Sequence, residues 1–311
     1  MRKVVLIGFL SIGVFISSMI LFAPAKFGSF VYENATDLEA SSYGLETKVV
    51  KVDFMNMSIY ANNEPKRESV LLLHGYSADK DVWVRFSQYL TGKYNVIIPD
   101  MAGHGETGYS KSWDFSGPAQ AERLKQLLDA QNIEKVHVIG NSMGGFIATH
   151  FTKMYPERVT SLAVMDPSGI DTPQQSPVEK LINGGMNPFI MHTRADFDAF
   201  YPTTMAKPPF VPDFILEAIS EKYISRKDEL MNIFKHIHHK DMIEGILSEI
   251  QAPTFLMWGE ADQIIDVSGT MVWHASIPGL KVKTWPGVGH MPMVEIPEQS
   301  ASEYQAFLTG L

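Results

Sequence analysis

Apolar positions follow two rhythms along this chain. Short unbroken runs at 70–73, 96–98, 136–139, 162–165 and 254–258 have the length and continuity of strands buried on both faces. Residues 280–285 close the series as a last strand. Between the runs lie stretches with helical spacing: 116–130, 143–154, 268–276 and 296–308. The first has Leu124, Leu127 and Leu128 on one face behind Ser116 as an N-cap. Residues 47–54 and 57–60 read as two further strands around a turn at Asn56, after a polar lead-in over 27–47. Strands alternating with helices predict an α/β fold, a mostly parallel central sheet flanked by helices.

The alternation breaks between about 168 and 250. A Pro-rich start, from Pro173 to Pro212, gives way to helical spacing at 214–224 and 241–250. This predicts a helical cap inserted between two core strands, over about 170–245. Insertions on a rigid sheet often carry the ligand-facing surface; the alternative is a peripheral helical pack with no part in binding.

Residues 4–25 have no period at all. They are uncharged, rich in Val, Leu, Ile and Phe, and bracketed by Arg2-Lys3 and Lys26. Position and flanks mark residues 1–26 as a targeting segment. Two readings stand. The run has the ~20 apolar residues of a membrane-spanning anchor, and Ala23-Pro24-Ala25 resembles the cleavage site of a secretory signal. Pro24 makes that site a poor one, which favours the anchor. In both readings the positive end stays in the cytoplasm and residues 27–311 form an exported domain. It is tethered to the membrane in the first reading and secreted in the second.

Composition narrows the function. The chain of 311 residues is 45% hydrophobic, enough to bury a sizeable core, and its net charge of −9 argues against non-specific nucleic-acid binding. It has no cysteine, so disulfides, thiolate metal sites and cysteine nucleophiles are excluded.

The candidate chemistry sits at strand ends. Gly140-Asn141-Ser142-Met143-Gly144 is a G-x-S-x-G pattern between the strand at 136–139 and the helix at 143–154. A sharp strand-to-helix reversal lifts the serine hydroxyl clear of the sheet, and small residues two places to either side prevent clashes. Serine needs a general base, and the base needs an orienting acid, in the chain order Ser, Asp or Glu, His. Asp262 follows the strand at 254–258 and His290 follows the last strand. Open α/β sheets place sites at these carboxyl ends. Asp166, after the strand at 162–165, is the competing acid. An oxyanion needs preorganised donors; the N–H groups of Met143 and Tyr76, the latter in the loop after the strand at 70–73, are the expected pair. His74 and His104 suit loop support or the site's rim, and His137 suits packing. His236, His238 and His239 are spaced poorly for a single metal ion and suit a solvated helix face.

These motifs, with His74-Gly75 and the segment Pro99 to Gly105, resemble those of the α/β-hydrolase fold family over about residues 47–311. Within it the chain is similar to the family V lipases of cold-living Moraxella and Psychrobacter relatives. That likeness rests on Gly140 to Gly145 and on Lys207-Pro208-Pro209-Phe210-Val211-Pro212 in the insertion. It is also similar to the membrane-anchored monoacylglycerol lipases of animals. The resemblance implies a cofactor-free, metal-free hydrolase of lipid or small-molecule esters, with Ser142, Asp262 and His290 as its triad; spacing alone indicates only an activated serine. Carbon–carbon bond hydrolases and perhydrolases of the same fold keep this triad and stay open. A non-catalytic membrane-anchored binding protein would require a broken triad or donor set.

Overall fold

The computed structural model describes residues 23–311. Among these, eight strands form one sheet: β1 (Glu46–Val52), β2 (Met55–Ala61), β3 (Ser69–Leu73), β4 (Asn95–Pro99), β5 (Val136–Asn141), β6 (Val159–Met165), β7 (Thr254–Gly259) and β8 (Lys281–Trp285). Their order is β1-β2-β4-β3-β5-β6-β7-β8. The β1–β2 and β2–β4 pairs are antiparallel and all others parallel. The helices are α1 (Pro24–Ser42), α2 (Val84–Ser87), α3 (Gly117–Ala130), α4 (Met143–Met154), α5 (Pro177–Asn183), α6 (Arg194–Thr204), α7 (Asp213–Ser225), α8 (Lys227–Ile237), α9 (Glu244–Leu247), α10 (Gly269–Ser276), α11 (Pro292–Glu295) and α12 (Pro297–Thr309).

The continuous apolar runs have the expected cause. β3, β4, β5 and β7 are buried along their whole length. Successive side chains leave a strand on opposite faces, and each face is covered. Leu71, Leu73, Val138 and Leu256 pack with Leu124 and Leu127 of α3, Phe146 and Ile147 of α4 and Trp273 of α10. Val70, Leu72, Ile139 and Met257 pack on the other side with Phe86 of α2, Ala40 of α1 and Tyr304 of α12. Ser116 caps α3 as expected, accepting the Ala119 N–H at 3.3 Å. Helices α5 to α9 form an insertion between β6 and β7.

Three local readings of the sequence are corrected. The β1–β2 hairpin turns at Asp53-Phe54, not at Asn56, which pairs with Lys51 inside the ladder. Asp53 takes the left-handed conformation (φ 51°), one of the few non-glycine residues that does so readily. Residues 241–250 hold only the short helix α9. Asp241 is itself left-handed (φ 48°), a conformation that no α-helix residue takes, so the helix cannot include it.

The third correction is the largest. The polar lead-in is helix α1, which starts with Pro24 in its first turn, where a missing N–H costs nothing. Residue 26, drawn as the end of the targeting segment, falls inside it. Packing holds α1 in place: a Cβ on Gly28 would lie 2.0 Å from Phe214 O, so its backbone touches that of α7. Phe27 stacks obliquely on Phe214 at 5.4 Å. Asp37 accepts the Tyr60 hydroxyl and Glu39 pairs with Arg85. The rest of the apolar segment at 4–25, up to residue 22, lies outside the described residues. Among the described residues, no helix is long and apolar enough to cross a membrane.

Candidate active site

Ser142 sits between the last residue of β5 and the first of α4 with φ 55° and ψ −120°. Such a conformation costs about 1–3 kcal/mol and persists only where surroundings impose it. Here the impositions are visible. Its N–H donates to Met165 O at 3.0 Å and its carbonyl accepts the N–H groups of Phe146 and Ser168. A Cβ on Gly140 would lie 2.2 Å from the carbonyl of Gly144, and one on Gly144 would lie 2.2 Å from Leu73 O. Larger residues two places either side of the serine would therefore push the helix off the sheet.

The loops after β7 and β8 meet beside it. His290 Nδ1 lies 2.7 Å from Asp262 Oδ2, with both side chains buried. Asp262 Oδ1 also accepts the N–H groups of Ile264 and Ile265, at 2.7 and 3.1 Å. A carboxylate held by two N–H donors fixes the imidazole proton on Nδ1 and leaves Nε2 as an acceptor. Asn141, directly before Ser142, donates its amide to His290 O at 2.9 Å. The serine turn and the histidine loop are thus tied together. Ser142 and His290 line one cavity of about 600 Å³, with Tyr76 and the aromatic rings of Phe189, Phe197 and Phe200.

Tyr76 is buried in the loop after β3. A Cβ on the preceding Gly75 would stand 3.2 Å from that of Ser142, so this loop lies beside the serine. The Tyr76 N–H meets no acceptor among the described residues. Its hydroxyl donates to Leu230 O at 2.7 Å, pinning the loop to α8. Met143 is the first residue of α4, and N–H groups at a helix start have no partner within the helix.

The competing acid and the other histidines have other surroundings. Asp166 is fully buried next to Asp262, its Oδ1 accepting the Gly259 N–H at 2.9 Å. Asp166, Asp262 and His290 each offer an atom within 4.8 Å of the others. The 2.7 Å between Asp262 and His290 is a direct hydrogen bond, whereas two ligands at ~2.0–2.2 Å from one tetrahedral zinc stand more than about 3 Å apart. His74 faces Gly75 O through Nδ1 and accepts the Met101 N–H at Nε2; burial lowers its pKa. His104 is buried and held well below its usual pKa, by desolvation first and then by His74. His137 bonds to Ser161 across the sheet. His236 faces Asp114, His238 stacks on Phe234 and His239 faces Asp171, so the three point to different partners.

One group of cavity residues has no signal in the sequence. Tyr32 and Asp37 of α1 reach the cavity, beside Asp79, Lys80 and Asp81 from the loop after β3 and Lys222 of α7. Lys222 Nζ pairs with Asp79 Oδ2 at 2.7 Å, and buried Lys80 pairs with Asp100 and Glu106. Strict spacing could have flagged the loop residues only as a charged surface turn.

The profile of the α/β hydrolase fold matches residues 68–205. Lipase 3 of Moraxella sp. is 32% identical over 296 residues, 93% of this chain and 93% of that one. Lipase 1 of Psychrobacter immobilis is 33% identical over 292 residues, covering 92% and 91%. Among solved structures, a bacterial membrane phospholipase A described as a virulence factor superposes with a TM-score of 0.88. It is 30% identical and covers 100% of this chain and 99% of its own. A strand-ended serine turn, a mostly parallel sheet and relatives matched end to end converge: the chain belongs to the α/β-hydrolase family.

Proposed function

We propose that this chain is a serine hydrolase that cleaves carboxylic esters of lipids through an acyl-enzyme. The observation that carries the reading is the 2.7 Å bond from His290 to Asp262 at the wall of the cavity that Ser142 lines. Ser142 Oγ attacks the ester carbonyl while His290 Nε2 takes its proton. Asp262 holds the tautomer and stabilises the imidazolium. The N–H groups of Tyr76 and Met143 receive the negative oxygen of the tetrahedral intermediate. His290 returns the proton to the leaving alcohol, then activates water to release the acid. The names of the relatives and the aromatic wall of the cavity support an acyl chain as the occupant.

The test is labelling with a fluorophosphonate followed by location of the adduct, beside a panel of esters and a ring-cleavage diketone. We expect the adduct on Ser142. Ser142→Ala should lose several orders of magnitude in ester kcat/KM with the fold intact, and Asp262→Asn should be severely impaired. A folded Ser142→Ala protein with near-normal turnover sinks the reading. Turnover of the diketone but of no ester moves the activity to carbon–carbon cleavage.

A further inference from the structure

Asp166 lies beside the acid–imidazole pair, and its second oxygen needs an account. The residue is wholly buried and left-handed (φ 47°), its N–H held by Met257 O at 3.0 Å. Oδ1 accepts the Gly259 N–H at 2.9 Å. Oδ2 meets no donor among the described residues. Its neighbour is the carboxyl group of Asp262, with an oxygen of each within 4.8 Å of the other. Two ionised carboxylates this close in a desolvated place repel strongly, and neither can donate. One proton turns the contact into a donor–acceptor bond. Asp262 is the partner that stays charged, because two backbone N–H groups and the His290 ring all face it. Asp166 has a single N–H donor.

We infer that Asp166 is a neutral carboxylic acid whose O–H donates to Asp262, a positioning residue that holds the charged acid against His290. This rests on the triad proposed above. Burial first, and then the negative charge of Asp262, push Asp166 well above the usual carboxylate range. The titratable groups facing it are Asp262, His290 and Glu295. Glu295 is itself raised, chiefly by burial, and is engaged with the N–H groups of Gly289 and Lys207. The one basic group among these neighbours, His290, turns its Nδ1 to Asp262 at 2.7 Å and not to Asp166.

The experiment compares the full-length protein with Asp166→Asn and Asp166→Leu. An asparagine can accept from Gly259 through Oδ1 and donate to Asp262 through its amide. It should therefore keep kcat/KM within about threefold and leave the acid limb of the pH profile in place. Leucine removes the donor. It should lower kcat/KM by about 10- to 100-fold, the loss of one hydrogen bond to a charged group. It should also move the acid limb upward, because a less stabilised carboxylate draws the imidazole proton more strongly. Infrared difference spectra, wild type minus Asp166→Asn, should contain the C=O stretch of a protonated carboxylic acid at neutral pH.

Absence of that band overturns the inference. So does a downward shift of the acid limb in Asp166→Asn, the sign of an anion removed from beside the imidazole, or equal behaviour of the two variants. Should the leucine protein fail to fold, the asparagine profile and the infrared band still decide. A protein with the band but without esterase activity would defeat the proposed function and leave the proton's location standing.

Discussion

At the residue scale, two neighbouring aspartates at the cavity share one problem and solve it differently. Asp79 is kept ionised by Lys222 against the cost of its burial. Asp81, next to it, is pushed up to about 7, by burial first and then by Asp79. The geometry around Tyr60 agrees with a protonated Asp81. The Tyr60 hydroxyl lies 3.0 Å from Asp37 and 3.1 Å from Asp81, and one phenolic proton cannot serve two carboxylates. A neutral Asp81 supplies the second. Its folded pKa is raised, so its stabilising contribution is fully present below the unfolded aspartate value and is lost as pH climbs through about 7. Asp81→Asn keeps the donor and removes the titration. Its melting temperature should therefore gain on wild type progressively from about pH 4 to about pH 7 and then level off. A gap that does not change with pH would mean that Asp81 is already ionised in the fold.

At the scale of elements, the serine turn and helix α1 form a contrast. The turn was legible because β5, the elbow and α4 are contiguous and the tightest clashes that demand glycine at 140 and 144 arise within the motif or against the end of β3. Helix α1 was not legible. Its buried residues are Ala25, Gly28 and Ala40, too small to write an apolar stripe, while Phe30 and Leu38 face outward at 61% and 72% exposure. What makes it a helix in this place is the backbone approach to α7, a partner almost two hundred positions away. Gly28→Leu would drive a side chain into Phe214 O. We expect it to cost about 1–3 kcal/mol, the usual range for overpacking, measured by denaturant unfolding. Because Tyr32 and Asp37 of the same helix line the cavity, KM for long-chain esters should rise more than KM for short ones. Unchanged stability would mean that the α1–α7 contact is loose in solution.

At the scale of the whole molecule, the apolar segment read at 4–25 runs directly into α1, and α1 borders the cavity that holds Ser142. Were that segment a membrane tether, it would raise the effective concentration of lipid esters without any new contact. A chain beginning at Ala23 should hydrolyse short soluble esters at close to the full-length rate and lose rate on long acyl esters dispersed in vesicles. A chain beginning at Gly44, without α1, should lose stability and both activities. If removal of residues 1–22 depresses both substrate classes equally, that segment supports the fold. If it depresses neither, it is a cleaved signal or an inert tether.

The sequence by itself determined the sheet, the serine turn and the order of the three strand-end loops. Buried parallel strands write continuous apolar runs, and the small residues that the elbow demands fall within five positions. It placed both Asp262 and Asp166 at strand ends, and the family resemblance favoured Asp262. Only the tertiary structure decided the surroundings of those two acids. Two backbone N–H groups and an imidazole converge on Asp262, while Asp166 faces its neighbour's carboxyl group with one oxygen unmatched. The hairpin turn at Asp53, the shortening of α9 and the existence of α1 were likewise decided by long-range contacts and left-handed backbone positions. Local periodicity carries no record of these, because it registers which side chains are apolar and not which distant backbone will come within reach of them.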